Sequence, residues 1–317
     1  MTDRGRIDAP DRVAAFRSDI TASPDALARL LDGWAAPDLG GRDRFLLTGL
    51  GSSRFAALVV AGQIRARGGT AWVEYAGGAA PTRASDDLVT IAISASGRTP
   101  EVVAAAEAHA GRGVVVAVTN DPDSPLASRA DVVVPLLAGV EAAGIAGRSF
   151  RATLAALSLL TAATTIDELR PTVDGLAGRL AEPDASVETA ADRLDGAAAI
   201  DVLADAALVG LAEQAALMLR EAPRLPAHAF ATGDWLHTGV YLALPGHRVV
   251  LVPGSPADAE VIATVERRGG VVVRVHEAGR GGVLARAVVD SVVAERVAAV
   301  LWARAAATPV DADDDRQ

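Results

Sequence analysis

The stretch "IAISASGRTPEVVAAAEAHA", Ile91 to Ala110, decides how the chain is read. An apolar run stops at Ser94, hydroxyls follow at Ser94, Ser96 and Thr99 around Gly97, and Pro100 opens an alanine-rich run with helical spacing. A short apolar run bounded by turn residues is a strand buried on both faces, and proline suits the first turn of a helix. The unit is therefore strand, turn, helix. On either side, "RFLLTGL", "TAWVEYA", "GVVVAVT" and "DVVVPLL" repeat the strand, and "SRFAALVVAGQIRARGG" and "RSFRATLAALSLLTAAT" repeat the helix. Strands without polar alternation, separated by helices, imply a parallel sheet covered on both sides. This predicts a doubly wound α/β domain over residues 37–170, after a helical lead-in at 1–36 in which Ser23 caps a helix begun by Pro24.

Residues 171–195 are charged and strandless, and read as a helical linker. A weaker strand-helix series follows over 196–306: "AAAIDVLA", "AALVGLAEQAALMLRE", "HAF", "RVVLVPG", "PADAEVIATVERRGG", "VVVRVHEAG" and a last helix near Val289 to Ala306. The acidic tail at 307–317 is expected to be disordered. Two α/β halves, each opening with a strand that feeds a long helix, suggest an internal duplication.

Half of the 317 residues are hydrophobic but only 3% are aromatic, so the core is built from Ala, Val and Leu. A net charge of −10 argues against nucleic acid or an anionic membrane as partner and favours a small molecule. All thirty basic residues are Arg, which removes lysine Schiff-base chemistry, and the absence of Cys removes disulfides and a thiol nucleophile. No apolar run has the roughly 20 residues that span a bilayer, and the N-terminus is polar, so a cytoplasmic protein is expected. No His, Asp or Glu cluster has metal-site spacing, so chemistry without metal or other cofactor is expected.

Ligands of parallel α/β sheets bind beyond the carboxyl ends of the strands, and helix N-termini there attract anions without any lysine. Ser94, Ser96 and Thr99 can add donors to such a site, and Gly97 allows close approach of the backbone. Simple helix capping by Ser96 or Thr99 is equally open at this point. "LLTGLGSSRFAAL" repeats the arrangement with Gly49, Gly51, Ser52 and Ser53. It lacks the third glycine of a dinucleotide fingerprint and the lysine of a P-loop. Two serine-rich cups at neighbouring strand ends point to a small phosphorylated ligand.

In "AALMLREAPRLPAHAFATGDWLHTG", Glu221 ends an apolar helix beside Arg220, and His237 follows Gly233 and Asp234. A carboxylate and an imidazole are a natural acid-base pair, while a surface ion pair for Glu221 and a structural role for His237 stay open. Glu141, in "AGVEAAG", either lines a pocket or caps the next segment, and His228 is a further pocket candidate. His109, His247 and His276 are assigned to capping or solvent.

"GLGSS", "SASGRT", "VAVTNDPDSPLASRADVVVPLLAGVE" and "RSFRATLAAL" resemble the sugar isomerase (SIS) domain, in the order found in the isomerase half of glucosamine-6-phosphate synthases. "FRSDITASP" is similar to the lead-in before the first such domain, and the resemblance covers most of residues 13–245. It implies two tandem flavodoxin-like SIS domains. It also implies a sugar phosphate gripped by Ser94, Ser96, Gly97 and Thr99, with Ser52 and Ser53 along the sugar; Gly51 is a possible pocket residue. Glu221 falls on the base that moves a proton between C1 and C2, and His237 on the ring-opening histidine donated across a homodimer interface. Ala95 stands where relatives often have glutamine, Arg98 where they often have glutamate, and Met218 where the synthases have lysine. Their terminal lysine has no counterpart in "ATPVDADDDRQ", and no glutaminase domain is expected. The expected function is a sugar-phosphate isomerase, or an aminosugar-phosphate isomerase or deaminase. A deglycase of phosphorylated sugar-amine adducts stays open. The alternative from another class is a non-catalytic sugar-phosphate sensor.

Overall fold

In a computed structural model, residues 9–183, 185–274 and 281–307 of the chain are described. Two helices lead in, α1 (Ala9–Thr21) and α2 (Ser23–Asp32). The first strand-helix series is β1 (Arg44–Gly49), α3 (Ser52–Ala66), β2 (Thr70–Tyr75), β3 (Leu88–Ile93), α4 (Pro100–His109), β4 (Val114–Thr119), β5 (Val132–Pro135) and α5 (Arg148–Leu160). Two helices follow, α6 (Ile166–Ala181) and α7 (Ala185–Leu194). The second series is β6 (Ala199–Ala204), α8 (Val209–Glu221), β7 (Ala227–Ala231), α9 (Thr232–Trp235), β8 (His247–Leu251), α10 (Asp258–Arg267) and β9 (Val271–Arg274), closed by α11 (Val283–Ala307).

The strands form two wholly parallel sheets, of order β2-β1-β3-β4-β5 and β7-β6-β8-β9. All six residues of β3 are buried, as a strand covered on both faces requires. In the first sheet the order reverses between β1 and β3, where a crevice opens beyond the strand ends. Gly49 pairs with Ile93, so both serine-rich turns leave the sheet side by side at that crevice.

The halves meet through α3 and α8. Gly210 makes this possible: a Cβ there would lie 2.1 Å from the Phe55 carbonyl oxygen. The long α11 packs on α1, α6, α7 and α8 and ties both halves to the lead-in. No described helix is long and apolar enough to cross a membrane. His276 and the tail at 308–317 lie outside the described residues.

One buried ion pair fastens this assembly. Arg151 of α5 and Glu295 of α11 are both fully buried and joined by two bonds of 2.8 and 2.9 Å. The same guanidinium donates to Ser291 at 3.0 Å and to Ser23 at 2.6 Å. Ser23 therefore anchors α2 to the core; it is the first helical residue and not the cap expected from the sequence. Burial pushes the Glu295 carboxyl up, and the Arg151 guanidinium opposes it. Removing one partner of such a pair strands a buried charge. Glu295→Ala is expected to cost about 3–5 kcal/mol in denaturant unfolding, whereas the apolar double replacement Arg151→Met/Glu295→Leu should cost clearly less.

Candidate functional site

The turn after β3 is a compact hydroxyl cluster. Thr99 stands at the N-cap position of α4, yet its side chain makes no capping bond; Ser94 Oγ lies 3.0 Å from Thr99 Oγ1 and 3.5 Å from Ser96 Oγ. Ser94 is buried and sits behind the other two. Ser96 Oγ accepts from the Arg98 backbone N–H at 3.2 Å, which shapes the turn itself. Gly97 holds a positive φ of 62°, and a Cβ there would come within 2.0 Å of Ser124 Oγ, so only glycine fits. Asp121 accepts from Arg98 and from the Asp123 N–H, as a turn residue does.

The neighbouring turn after β1 supplies Gly51, Ser52 and Ser53 at the start of α3, where the first backbone N–H groups lack helical partners. These three residues, with Ser149, Thr153 and Glu221, line a cavity of about 250 Å³. Ser52 Oγ is buried there without a hydrogen-bond partner, a cost of about 1–3 kcal/mol that a polar ligand atom can recover.

Glu221 reaches this cavity because of how α3 and α8 cross. Phe55 and Val59 face Gly210, Arg54 approaches Glu213 at 3.9 Å, and the end of α8 comes to the start of α3. No ion pair joins Glu221 to Arg220; the Arg220 guanidinium instead donates to the Ala227 carbonyl of β7 at 2.9 Å. Its surroundings push the Glu221 carboxyl above the usual carboxylate range, first by burial against the cavity wall, with Glu141 adding and Arg220 opposing. The negative end of the α8 dipole acts in the same direction.

Glu141 both caps and lines. Its carboxylate accepts from the Gly147 N–H at 2.6 Å, the Ser149 N–H at 3.2 Å and Ser149 Oγ at 2.6 Å, closing the start of α5. It also faces a larger cleft of about 1260 Å³, which includes Ser96 and adjoins the small cavity along Ala95, Ala146 and Ser149. Ser149 and Thr153 were missed as lining residues, although "RSFRATLAAL" placed them at a helix start beside the first sheet.

The histidines lie apart. His237 is exposed on the turn after α9 and lines neither cavity. His228 lines neither as well; its Nδ1 is 3.7 Å from Asp201. His247 is buried with its Nε2 2.9 Å from Asp201 Oδ2, and His109 is buried with its Nδ1 2.8 Å from Thr90 Oγ1, so both are core residues rather than solvent or capping groups. Among the described residues no group of His, Asp and Glu is arranged to hold a metal.

Comparison with known proteins bears on the fold. The SIS domain family model matches residues 39–166, the region of the first sheet and both turns. The chain is 28% identical over 288 residues to an isomerizing glutamine–fructose-6-phosphate aminotransferase of Aeropyrum pernix, covering 79% of this chain and 45% of that protein, so it spans less than half of that relative's length. Among solved structures, the C-terminal domain of glucosamine-fructose-6-phosphate aminotransferase from Francisella tularensis superposes with a TM-score of 0.79 at 19% identity, covering 94% of this chain and 97% of that one. Glucosamine-6-phosphate deaminase from Thermotoga maritima gives 0.76 at 18% identity, over 92% and 94% of the two chains. The chain shares the fold of these two structures. The family match lies on residues 39–166, the part of the chain that is similar to a SIS domain.

Proposed function

We propose that this chain binds a sugar phosphate at the crevice of the first sheet and moves a proton between C1 and C2 of its open-chain form, as a sugar-phosphate isomerase or an aminosugar-phosphate isomerase or deaminase. The observation that carries the reading is the position of Glu221: an unpaired carboxylate in the same small cavity as Gly51, Ser52 and Ser53, next to the hydroxyl turn. The phosphate is held by Ser96, Gly97 and Thr99, with Ser94 orienting Thr99 from behind. Glu221 takes the proton from C2 of the aldose and returns it to C1, while the hydroxyl proton passes from O2 to O1. A carboxyl pushed up toward the working pH is a stronger base than an ordinary glutamate.

The second sheet is read as a second SIS domain. Its order β7-β6-β8-β9 matches β2-β1-β3-β4 strand for strand, and α8 takes the place of α3. Domain limits of 37–170 and 196–306, with the 171–195 helices as linker, follow from that correspondence. His237 is assigned to ring opening in the site of a second copy. Its exposure, beside the exposed Tyr241, Leu242 and Leu244, suits a turn that inserts across a dimer interface. The lysine-free sequence gives the sensor reading its one specific support.

Glu221→Gln is expected to lower turnover of fructose 6-phosphate or glucosamine 6-phosphate by about 10²–10⁴-fold while sparing ligand-induced thermal stabilisation. A wild-type protein that is stabilised by these ligands and turns none over is a sensor. Because the basic form of Glu221 is lost as pH falls through a raised pKa, the acid limb of the activity profile should lie above the ordinary glutamate range and vanish in the variant. Thr99→Val should weaken binding of either ligand about tenfold to a hundredfold by calorimetry, since it removes one bond to a charged group. Mixing inactive Glu221→Gln and His237→Ala chains under exchange conditions should restore about a quarter of wild-type turnover, since half of the dimers then hold one intact site. Strict inactivity of the mixture would remove His237 from the partner's site.

A further inference from the structure

The cleft of about 1260 Å³ lies between α1, α2 and the loops after β3, β4 and β5, and it meets the small cavity along Ala95, Ala146 and Ser149. A hexose phosphate held by the hydroxyl turn, with its carbons toward Glu221, needs only the small cavity and the turn. The cleft therefore offers room for something the sugar carries.

Its charges indicate what. Arg12, Arg29 and Arg98 line it, together with two acidic residues, Asp121 and Glu141. Both carboxylates are engaged: Asp121 with Arg98 at 2.8 Å, and Glu141 with the start of α5. Among the described residues Arg12 is tethered only by a 3.4 Å bond to the Ala143 carbonyl, and it stacks 5.2 Å from the Trp302 ring centre. Arg29 makes no ion pair and no side-chain hydrogen bond among the described residues. In a chain of net charge −10, two guanidinium groups without a counter-charge at one cleft form a local positive field.

The cleft has few neutral donors of the kind that suit a second phosphate. Asn120 spends its amide on Gly139 and Ala138, and the start of α5 is closed by Glu141. The planar fork of arginine matches a carboxylate. We infer that the cleft takes a carboxylate-bearing substituent of the phosphosugar, bound by Arg12 and Arg29, so that the preferred ligand is an acidic sugar-phosphate conjugate. This rests on the proposed phosphate site, which fixes where the sugar lies.

Calorimetry on the full chain with two matched pairs tests it. One pair is N-acetylglucosamine 6-phosphate and N-acetylmuramic acid 6-phosphate, which differ by an ether-linked lactyl carboxylate. The other is fructose 6-phosphate and its C1-linked aspartate conjugate. In at least one pair the acidic member should bind about tenfold tighter or more, and the pair that shows it identifies the linkage. Arg29→Gln should shrink that preference, and Arg12→Gln/Arg29→Gln should abolish it with the affinity of the neutral member unchanged. Arg29 is exposed, so the single variant should melt like the wild type and keeps the test valid if the double variant folds poorly. Equal affinities within both pairs, or a preference that survives in the variants, overturns the inference and leaves the phosphate site standing. Binding of no ligand in either pair overturns both.

Discussion

The close crossing of α3 and α8 is the constraint on which the site depends. Each helix follows the first strand of its own sheet, and the two run past each other with the Phe55 carbonyl almost against the Gly210 backbone. A side chain at position 210 would push α8 away, and the carboxylate of Glu221 at its far end would withdraw from Ser52 and Ser53. Neither turn alone makes the proposed site. The first sheet supplies neutral donors and helix dipole at a strand-order reversal, and the second sheet delivers the charged group across the contact.

Two buried polar clusters hold the surrounding parts in place. The Arg151–Glu295 pair, with Ser23 and Ser291, joins α2, α5 and α11 and so fixes both the helix that begins beside Glu141 and the lead-in that carries Arg29. In the second half, Asp201 of β6 is buried and accepts from the Trp235 indole at 2.7 Å. Trp235 is in turn packed against Gly239, where a Cβ would lie 2.3 Å from the ring. The turn bearing His237 is thus clamped on both sides of that residue although its imidazole is exposed. A rigid turn carrying an exposed histidine loses little conformational freedom on docking, which would lower the cost of the proposed two-chain site.

The strand-turn-helix unit at Ile91 to Ala110 was legible because burial on both faces, turn residues and helical spacing are all local signals. The serine-rich turns were legible for the same reason. Whether Thr99 caps or binds was not, since both uses need the same residue at the same place; the structure shows its side chain making no capping bond and its hydroxyl 3.0 Å from Ser94 Oγ. Arg151 and Glu295 were not singled out in the sequence, for their pairing spans 144 positions and no periodicity links them. The available hint was that each interrupts a helix apolar on nearly every side. His109 and His247 hid in the same way, as polar residues at element ends whose partners, Thr90 and Asp201, come from other strands.

The absence of lysine shapes the site's electrostatics as a whole. A lysine at position 218 would place a mobile ammonium on α8 one turn before Glu221, where it could pair with the carboxylate and lower its basicity. Met218 is fully buried and offers no charge. Arg220, the remaining nearby cation, is held by the Ala227 carbonyl, so it moderates the Glu221 pKa without bonding to it. In the proposed site the phosphate end would be served by hydroxyls and backbone amides, which attract an anion without adding a mobile cation to the cavity. Separating the two tasks in this way would let the proposed site bind a dianion at one end and keep an unquenched base at the other, which a lysine between them would oppose.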